Sequence, residues 1–277
     1  MSYKRVLTIQ DISCVGQCSL TVALPIISAC GIETAVLPSA VLSTHTAGFK
    51  GFTFRDLSSD MPNILEHWKK ENIFFDGIYT GYLGSIEQID MVKDIAKNTL
   101  KKDCPLIVDP AMADNGKLYS IFDMAYVEKM KELCAISDYF IPNITEACFL
   151  TGAEYKEEYD RDYIESLVKG LVDIGAKTVV LTGVSYKKGK TGVVVSDGIN
   201  YDYYEHEKLP NSCHGTGDIY ASAFVGALIN GKDALLSAKI SADYTVECIK
   251  ETAKEKNHWY GACFEPVLIK LIKAINE

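Results

Sequence analysis

The segment His214-Gly-Thr-Gly-Asp218 has the residue types and the spacing that phosphoryl transfer to a hydroxyl group needs. Glycines leave backbone N–H groups unobstructed, and the apolar stretch that follows predicts a helix beginning here. Free amides and the helix dipole both favour negative charge, so Gly215, Thr216 and Gly217 could form an anion hole. Asp218 would lie in the first helical turn, where its carboxylate can accept the proton of an attacking hydroxyl. An ordinary loop followed by an Asp at a helix N-terminus remains the alternative.

The segment Pro142-Asn-Ile-Thr-Glu146 could hold a magnesium ion. Asn143 and Glu146 are three residues apart and share a face on a helical turn. An amide oxygen and a carboxylate can hold the water shell of Mg²⁺, which keeps several waters and takes few protein ligands. A helix cap with Glu in the first turn is the alternative, and on this segment alone it is the better interpretation.

Further polar residues follow predicted strands. Asp109 and the pair Thr182-Gly183 end two of them and suit the nucleotide side of a site, because ligands collect at the carboxyl edge of open α/β sheets. Asp11, the loop containing His45 and Thr46, and Tyr82 come after three others and could enclose a small polar aromatic molecule. Asp109 could instead form a turn with Pro110, His45 could be a solvated loop histidine, and Tyr82 could serve only in packing.

The elements that must position these residues alternate between short β-rich runs and amphipathic helices, which predicts a mostly parallel sheet covered by helices on both faces. The predicted strands are Arg5–Gln10, Thr34–Pro38, Gly77–Thr80, Leu106–Asp109, Tyr139–Ile141 and Thr178–Thr182, with an edge hairpin of Lys190–Val195 and Tyr201–His206. One helix is predicted to begin after Asp60, a capping residue that is followed by an early proline, Pro62. Another is predicted to begin after Ser85, the first residue of a capping-box pattern. Others span Asp162–Gly175, Thr216–Asn230, Lys232–Thr252 and Phe264–Ile275. Without a repeat or linker, residues 1–277 are predicted to form one domain.

Charge and composition restrict the partners. The net charge of −9 argues against nucleic acid and anionic membranes, which both select basic patches. The three arginines, Arg5, Arg55 and Arg161, lie outside the motifs, so phosphate binding should depend on backbone N–H groups and a metal. An odd number of cysteines without a CxxC pair indicates reduced thiols, and no stretch is typical of a signal peptide or a membrane span. A cytoplasmic protein is therefore expected.

Taken together, these segments resemble the ribokinase superfamily, in which a Gly-Thr-Gly-Asp turn late in the chain follows a mid-chain Asn-x-x-Glu and a strand-ending Thr-Gly. Val-Leu-Thr-Ile-Gln-Asp, Leu-Ser-Thr-His-Thr, Gly-Tyr-Leu-Gly-Ser and Val-Asp-Pro-Ala-Met further resemble its pyridoxal/pyridoxamine kinase branch. The likeness covers residues of about 5 to 250.

The resemblance implies a three-layer α/β/α fold and a homodimer that phosphorylates the hydroxymethyl group of a B6 vitamer with ATP and Mg²⁺; K⁺ is a further candidate. Carried over by position, Asp218 becomes the base and Gly215–Gly217 the anion hole. The ATP and metal side would comprise Asp109, Asn143, Glu146, Thr182 and Gly183, with Glu146 acting on Mg²⁺ through water. The vitamer side would comprise Asp11, His45, Thr46, Tyr82 and Asp218.

Two departures from the branch affect the expected substrate. Asp11 stands where many members have Ser on the pyridine ring, and Ala47 replaces a glutamine or glycine. A hydroxymethylpyrimidine or sugar kinase, and a non-catalytic vitamer- or nucleotide-binding protein, therefore remain alternatives. Hydroxymethylpyrimidine kinases commonly carry Cys in place of Asp218, and a pure binder needs no base beside an anion hole. A dinucleotide-binding enzyme is disfavoured because no G-x-G-x-x-G follows the first strand.

Overall fold

The computed structural model describes residues 3–210 and 213–277. Within them the strands are β1 (Arg5–Ser13), β2 (Glu33–Leu42), β3 (Phe54–Asp56), β4 (Gly77–Thr80), β5 (Leu106–Val108), β6 (Ala113–Asp114), β7 (Lys117–Leu118), β8 (Tyr139–Phe140), β9 (Thr178–Val184), β10 (Lys190–Ser196) and β11 (Tyr201–Glu207). The helices are α1 (Leu20–Ala29), α2 (Met61–Lys70), α3 (Ile86–Thr99), α4 (Met124–Cys134), α5 (Ile144–Thr151), α6 (Arg161–Ile174), α7 (Thr216–Ile229), α8 (Ala234–Thr252) and α9 (Leu268–Asn276), with a short 3-10 helix at Glu265–Val267.

The central sheet has the strand order β11-β10-β9-β8-β5-β4-β1-β2-β3. The strands from β2 to β9 in this order are parallel, whereas β3 and the β10–β11 hairpin pair antiparallel at the two edges. The predicted mostly parallel sheet with an edge hairpin is confirmed. Because the chain leaves β1 first for β2 and later for β4, the strand order switches between β1 and β4. Ligands bind at such a switch point, outside the carboxyl ends of the strands.

Helices cover both faces, which confirms the three-layer fold. Alternation along β1 shows why, since Leu7 and Ile9 face one apolar core and Val6 faces the other. Helices α2 to α6 bury their apolar sides in the first core, and α1, α7, α8 and α9 bury theirs in the second. Helix α7 is apolar nearly all round, and its buried residues include Phe224 with no exposed surface. Such a helix must be enclosed, and it brings Asp218 at its start beneath the ends of the strands.

Several boundaries differ from the predicted ones. β1 extends to Ser13 and β2 to Leu42, whereas the predictions ended these strands at Gln10 and Pro38. The Asp60 side chain makes no cap bond to α2, and α6 begins at Arg161 because Asp160 caps it. α8 likewise begins at Ala234 after a capping Asp233.

At α3 only half of the predicted capping box forms. Ser85 accepts the Gln88 N–H, but the Gln88 side chain accepts from Gly84 N–H instead of returning to Ser85. The elements α1, α4, β3, β6 and β7 were not predicted. The helix α1 contains Pro25, which interrupts the usual helical pattern. The strands β3, β6 and β7 have only two or three residues each, too few to show a period.

Candidate active site

The turn before α7 requires a glycine because its backbone lies against that of another segment. Gly215 has φ 77°, and a Cβ atom there would lie 1.9 Å from the Gln17 carbonyl oxygen, so no other residue fits. Helical hydrogen bonding starts with Ile219 N–H donating to Gly215 O at 3.0 Å. The N–H groups of Thr216, Gly217 and Asp218 therefore find no acceptor among the described residues. Three successive donors at the start of a 14-residue helix are suited to binding an anion. The anion hole predicted at Gly215, Thr216 and Gly217 overlaps two of these donors and stays a prediction.

Asp218 lies in the first turn of α7, as predicted, with its carboxylate facing the β1–α1 loop. Burial, followed by the negative charge of Asp11, raises the pKa of Asp218 to about 7, and a hydrogen bond from Ser19 N–H opposes this. Ser19 has φ 54°, an unfavourable backbone conformation for a residue with a side chain, and it aims its N–H at the carboxylate. A carboxyl group with a pKa near neutral is suited to accepting a proton.

Asp11 is placed by an irregularity in the sheet. The register between β1 and β2 shifts from Gln10–Pro38 to Ile12–Val41, so β2 carries an extra residue opposite Asp11. The buried Asp11 carboxylate accepts a hydrogen bond from Ser13 Oγ at 3.1 Å. Burial raises the pKa of Asp11, while hydrogen bonds from serines lower it. Tyr82 lies within electrostatic reach, and burial followed by the Asp11 charge raises the Tyr82 pKa to about 12.

Both ring nitrogens of His45 are occupied by backbone groups. Nδ1 accepts the Ala47 N–H at 3.1 Å, so Nε2 carries the proton and donates to Tyr260 O at 2.7 Å. The buried ring packs against Phe49 and His214, with centroids 5.0 Å and 5.5 Å away. His45 can therefore offer a substrate its ring surface, whereas the sequence suggested a polar group. Thr46 is exposed beside it.

The predicted metal and nucleotide residues form a chain of carboxylates. Burial, then the charges of Glu146 and Asp218, raise the pKa of Asp109 well above its usual value. Burial raises the pKa of Glu146 to about 8, opposed by backbone hydrogen bonds. Its oxygens accept from Asn143 N–H at 2.8 Å and Met112 N–H at 3.1 Å. Asp109 thus lies within electrostatic reach of both Glu146 and Asp218, and no lysine or arginine among the described residues forms an ion pair with any of the three.

Asn143 and Glu146 form a complete capping box, so the helix-cap interpretation of this segment is correct. Asn143 Oδ1 accepts Glu146 N–H at 2.9 Å, and its Nδ2 donates to Ala113 O at 2.8 Å. The Asn143 amide retains one N–H and one oxygen lone pair, and its predicted contact with ATP stays a prediction. Glu146 is buried and has further lone pairs beyond those that accept the Asn143 and Met112 N–H groups.

The carboxylates nevertheless fit Mg²⁺. They supply oxygen atoms and uncompensated negative charge, which this hard cation requires. In residues 3–210 and 213–277 no three acidic, His or Cys side chains are close enough to enclose an ion directly. Mg²⁺ bound beside these carboxylates would retain much of its hydration shell. Asp109 and Glu146 are the residues that would hold it.

Thr182 and Gly183 lie at the carboxyl end of β9, next to this segment. Thr182 Oγ1 donates to Pro142 O at 3.2 Å, and Thr182 also bridges to Asn143. Gly183, with φ 78°, is exposed and faces open space. Thr182 therefore joins the two segments, and Gly183 leaves room beside them for a ligand.

A C-terminal segment that the sequence analysis assigned no role packs against the loops that contain Gln17 and Gly48. Gln17 Nε2 donates to both Glu265 oxygens at 2.8 and 2.9 Å, and its Oε1 accepts from His258 Nε2 at 2.6 Å. The Trp259 ring lies against Gly48, where a Cβ would approach to 2.8 Å. These residues lie more than 200 positions from the loops that they contact, and no local pattern could have revealed them. Burial, followed by the charges of Glu146 and Asp109, raises the pKa of Tyr119, so this tyrosine lies near the carboxylates. The sequence analysis did not include it.

Comparison with known proteins places this geometry in a family. A family model described as phosphomethylpyrimidine kinase matches residues 30–263. The chain belongs to the phosphomethylpyrimidine kinase family. The predicted enzyme class, an ATP-dependent kinase of the ribokinase superfamily, is confirmed. In the described residues, no helix has the length and apolar character needed to cross a membrane.

Similar proteins within this family include both pyridoxal and pyrimidine kinases. A Bacteroides thetaiotaomicron protein described as a candidate phosphomethylpyrimidine kinase, solved with pyridoxal, is 33% identical, with a TM-score of 0.90 and coverage of 100% of this chain and 96% of that one. A pyridoxal kinase from Lactobacillus plantarum is 31% identical, with a TM-score of 0.91 and 98% coverage of both chains. The pyridoxal kinase of Dictyostelium discoideum is 28% identical over 91% of this chain and 87% of its own.

Proposed function

We propose that this kinase transfers the terminal phosphoryl group of ATP to the hydroxymethyl group of pyridoxal, pyridoxamine or pyridoxine. The observation that carries the proposal is the pairing of Asp218, whose pKa is near neutral, with three N–H groups at the same helix start that have no acceptor among the described residues. A base and an anion site side by side are what in-line transfer to a neutral alcohol requires. The relatives solved with pyridoxal or named pyridoxal kinases support the choice of substrate.

In this proposal Asp218 removes the proton from the substrate hydroxyl, and its neighbouring N–H groups stabilise charge on the transferring phosphoryl group. Asp109 and Glu146 hold the hydrated Mg²⁺, which when bound neutralises phosphate charge. Gly183 allows the nucleotide to approach the edge of β9. The requirement for K⁺ stays a prediction.

The substrate ring would occupy the space between Asp11, Tyr82 and the His45 ring. Tyr82 and His45 offer aromatic surfaces, and a flat pyridine can pack on them where a flexible sugar cannot. The Asp11 carboxylate favours a protonated ring nitrogen or an amine, so pyridoxamine should be handled at least as well as pyridoxal. Asp11→Ser should then shift the ratio of kcat/KM values towards pyridoxal; an unchanged ratio would remove Asp11 from substrate selection.

A hydroxymethylpyrimidine kinase is the second candidate, because the matching family model is described as phosphomethylpyrimidine kinase, an activity on a related pyrimidine. The relative from Aquifex aeolicus, a hydroxymethylpyrimidine/phosphomethylpyrimidine kinase, is 25% identical over 70% of this chain. Both substrates present a hydroxymethyl group on a nitrogen heterocycle, so Asp218 would act in the same way on either.

One experiment separates these candidates: ATP consumption measured with each B6 vitamer, hydroxymethylpyrimidine and ribose under identical conditions. We expect kcat/KM to be highest for a B6 vitamer. A much higher value for hydroxymethylpyrimidine or ribose would refute the substrate assignment and leave the kinase chemistry intact. Binding of vitamer and ATP without turnover of any alcohol would indicate a non-catalytic protein.

A further inference from the structure

Three buried polar side chains behind the catalytic carboxylates have unpaired oxygen atoms. Gln10 Oε1, Tyr79 Oη and Ser222 Oγ have no hydrogen-bond partner among the described residues, and all three residues have no exposed surface. A buried polar atom left without a partner is destabilising, so such atoms are normally satisfied by protein or by an internal water. Here they occur together and next to the proposed site.

The sheet register explains why these groups converge. In the parallel pairing, Tyr79 of β4 lies between Thr8 of β1 and Ile107 of β5. Gln10 and Asp109 are each two residues beyond those partners, and side chains two residues apart share a face of a strand. Both therefore point to the same side of the sheet as Tyr79, towards α7.

Helix α7 supplies the opposite wall. Ser222 follows Asp218 by four residues, so the two side chains lie on one face of the helix. The Tyr79 hydroxyl lies close enough to Ser222 and Gln10 for both to lower its pKa, although it forms no hydrogen bond of good geometry with either. Burial, followed by the charges of Asp109 and Asp218, raises that pKa well above its usual value. The polar cluster is thus bounded by strands β1, β4 and β5 and by the first turns of α7.

We propose that Gln10, Tyr79 and Ser222 bind one buried water molecule behind Asp109 and Asp218, and that Tyr79 is a positioning residue for these carboxylates. The donor and acceptor inventory favours water. Gln10 Oε1 can only accept, so the guest must donate a hydrogen; the two hydroxyls need an acceptor for theirs. Water does both, and it keeps a hydrogen available for a carboxylate.

The proposed water would affect the Asp218 carboxylate in its ionised form. Asp218 receives one backbone N–H from Ser19 and faces the like charge of Asp11. A further donor, relayed from the Tyr79 hydroxyl through the water, would fix the orientation of the carboxylate that accepts the substrate proton. The inference therefore rests on the proposed function for its effect on turnover, but not for the presence of the water.

The chain offers matched controls. Tyr220 and Ser237 also have buried hydroxyl oxygens that find no partner in residues 3–210 and 213–277, but burial alone raises the pKa of Tyr220 and no carboxylate contributes. Tyr79→Phe and Ser222→Ala should each lower kcat about tenfold, the effect of losing one hydrogen bond of about 1.4 kcal/mol, with KM for ATP within about twofold. Tyr220→Phe and Ser237→Ala should leave both constants unchanged.

Because one water serves both groups, Tyr79→Phe/Ser222→Ala should lose little more than either single variant. Full additivity, or an unchanged kcat in Tyr79→Phe, would overturn the positioning role. Thermal unfolding provides a readout independent of turnover: Tyr79→Phe should lower Tm, whereas removal of a dry, unpaired hydroxyl would raise it.

A crystal structure of the parent enzyme at a resolution that shows ordered waters tests the site directly. We expect one water about 2.8 Å from Tyr79 Oη, Gln10 Oε1 and Ser222 Oγ, and its loss or displacement in Tyr79→Phe. A dry cluster, or a metal cation at shorter oxygen distances, would overturn the water assignment. If the parent phosphorylates no B6 vitamer, the proposed substrate fails, while the crystallographic and thermal results still decide this inference.

Discussion

At the scale of single residues, the decisive feature is a carboxylate whose ionisation is made difficult by its surroundings. Burial and Asp11 raise the pKa of Asp218 to about 7, so the group is poised to gain and lose a proton near neutral pH. The same burial makes its charge costly to the fold. Replacing Asp218 with a neutral residue should therefore lower kcat without lowering the stability of the fold.

Asp218→Asn tests the base. The amide retains the shape of the side chain but cannot accept a proton, so kcat should fall by about 10²–10⁴-fold with little change in ATP binding. Since an ionised buried group is removed, Tm at pH 8 should not decrease. Steady-state kinetics and thermal unfolding of the same preparation give both values, and near-normal turnover would exclude Asp218 from the mechanism.

Glu146→Gln tests the link to magnesium. The variant loses the negative charge, so the Mg²⁺ concentration for half-maximal rate should rise several-fold. It also brings an amide NH₂ near the Met112 or Asn143 N–H, which should cost about 1–3 kcal/mol of stability. The two effects are separable: a magnesium titration that overlays that of the parent, with lower Tm, would leave Glu146 only its role in the helix cap.

At the scale of elements, the start of α7 contains two glycines with different constraints. Gly215 has positive φ and lies against the Gln17 carbonyl, whereas a Cβ on Gly217 would meet nothing within 4 Å. Gly215→Ala should therefore destabilise the protein by several kcal/mol, through strain and overlap. Gly215 is required by the fold, and Gly217 is free to serve the ligand.

Gly217→Ala isolates the anion hole from the fold. Alanine is the better helix former by about 1 kcal/mol, so Tm should stay equal or rise. Its methyl group would nevertheless restrict the approach of phosphate to the N–H groups, so kcat/KM for ATP should fall at least tenfold. Unchanged kcat/KM would show that the phosphoryl group does not bind at this turn.

At the scale of the whole molecule, the buried acidic groups should make the fold less stable as pH rises. The pKa values of Asp218 and Glu146 are raised to about 7 and about 8, above their usual values of 3.8 and 4.5. The folded state therefore binds more protons than the unfolded state between about pH 4 and 8, and stability decreases as pH increases through this interval. Asp197, whose pKa is lowered to about 2, acts below this interval. His214, whose pKa burial lowers from its usual 6.5, acts within it and opposes the decline by a single group against two.

Thermal unfolding between pH 5 and 8 at constant ionic strength should show this decline, and Asp218→Asn should reduce its slope. Saturating Mg²⁺ and ATP should restore stability most strongly at pH 8, where the carboxylates are ionised. A Tm that rises across the interval in the ligand-free protein would contradict the assignment of these acids as buried and uncompensated.

The oligomeric state is a separate expectation at this scale, since the resemblance implies a homodimer. Light scattering should give a mass twice that of the 30.6 kDa chain at micromolar concentration. A single species of the chain mass would refute the dimer without affecting the chemistry of the site.

Sequence by itself determined the layered α/β fold, the strand near whose end each polar residue lies and the position of Asp218 at a helix start. These depend on local causes: hydrophobic periodicity, glycine conformations, and residues that cap helices. The enzyme class depended on the resemblance of the motifs to a known family. Local patterns also predicted the Asn143–Glu146 cap, although they could not show that the Asn143 amide would donate to Ala113 O, 30 residues away.

Only the tertiary structure decided how these positions interact. The tautomer of His45 depends on Tyr260, and the need for glycine at 215 depends on Gln17, which is nearly 200 residues away. The raised pKa of Asp218 requires burial and the proximity of Asp11, and the water site requires the register of β1, β4 and β5. Contacts of this kind arise when distant segments pack together, and their energies depend on distance and burial, which no local pattern encodes.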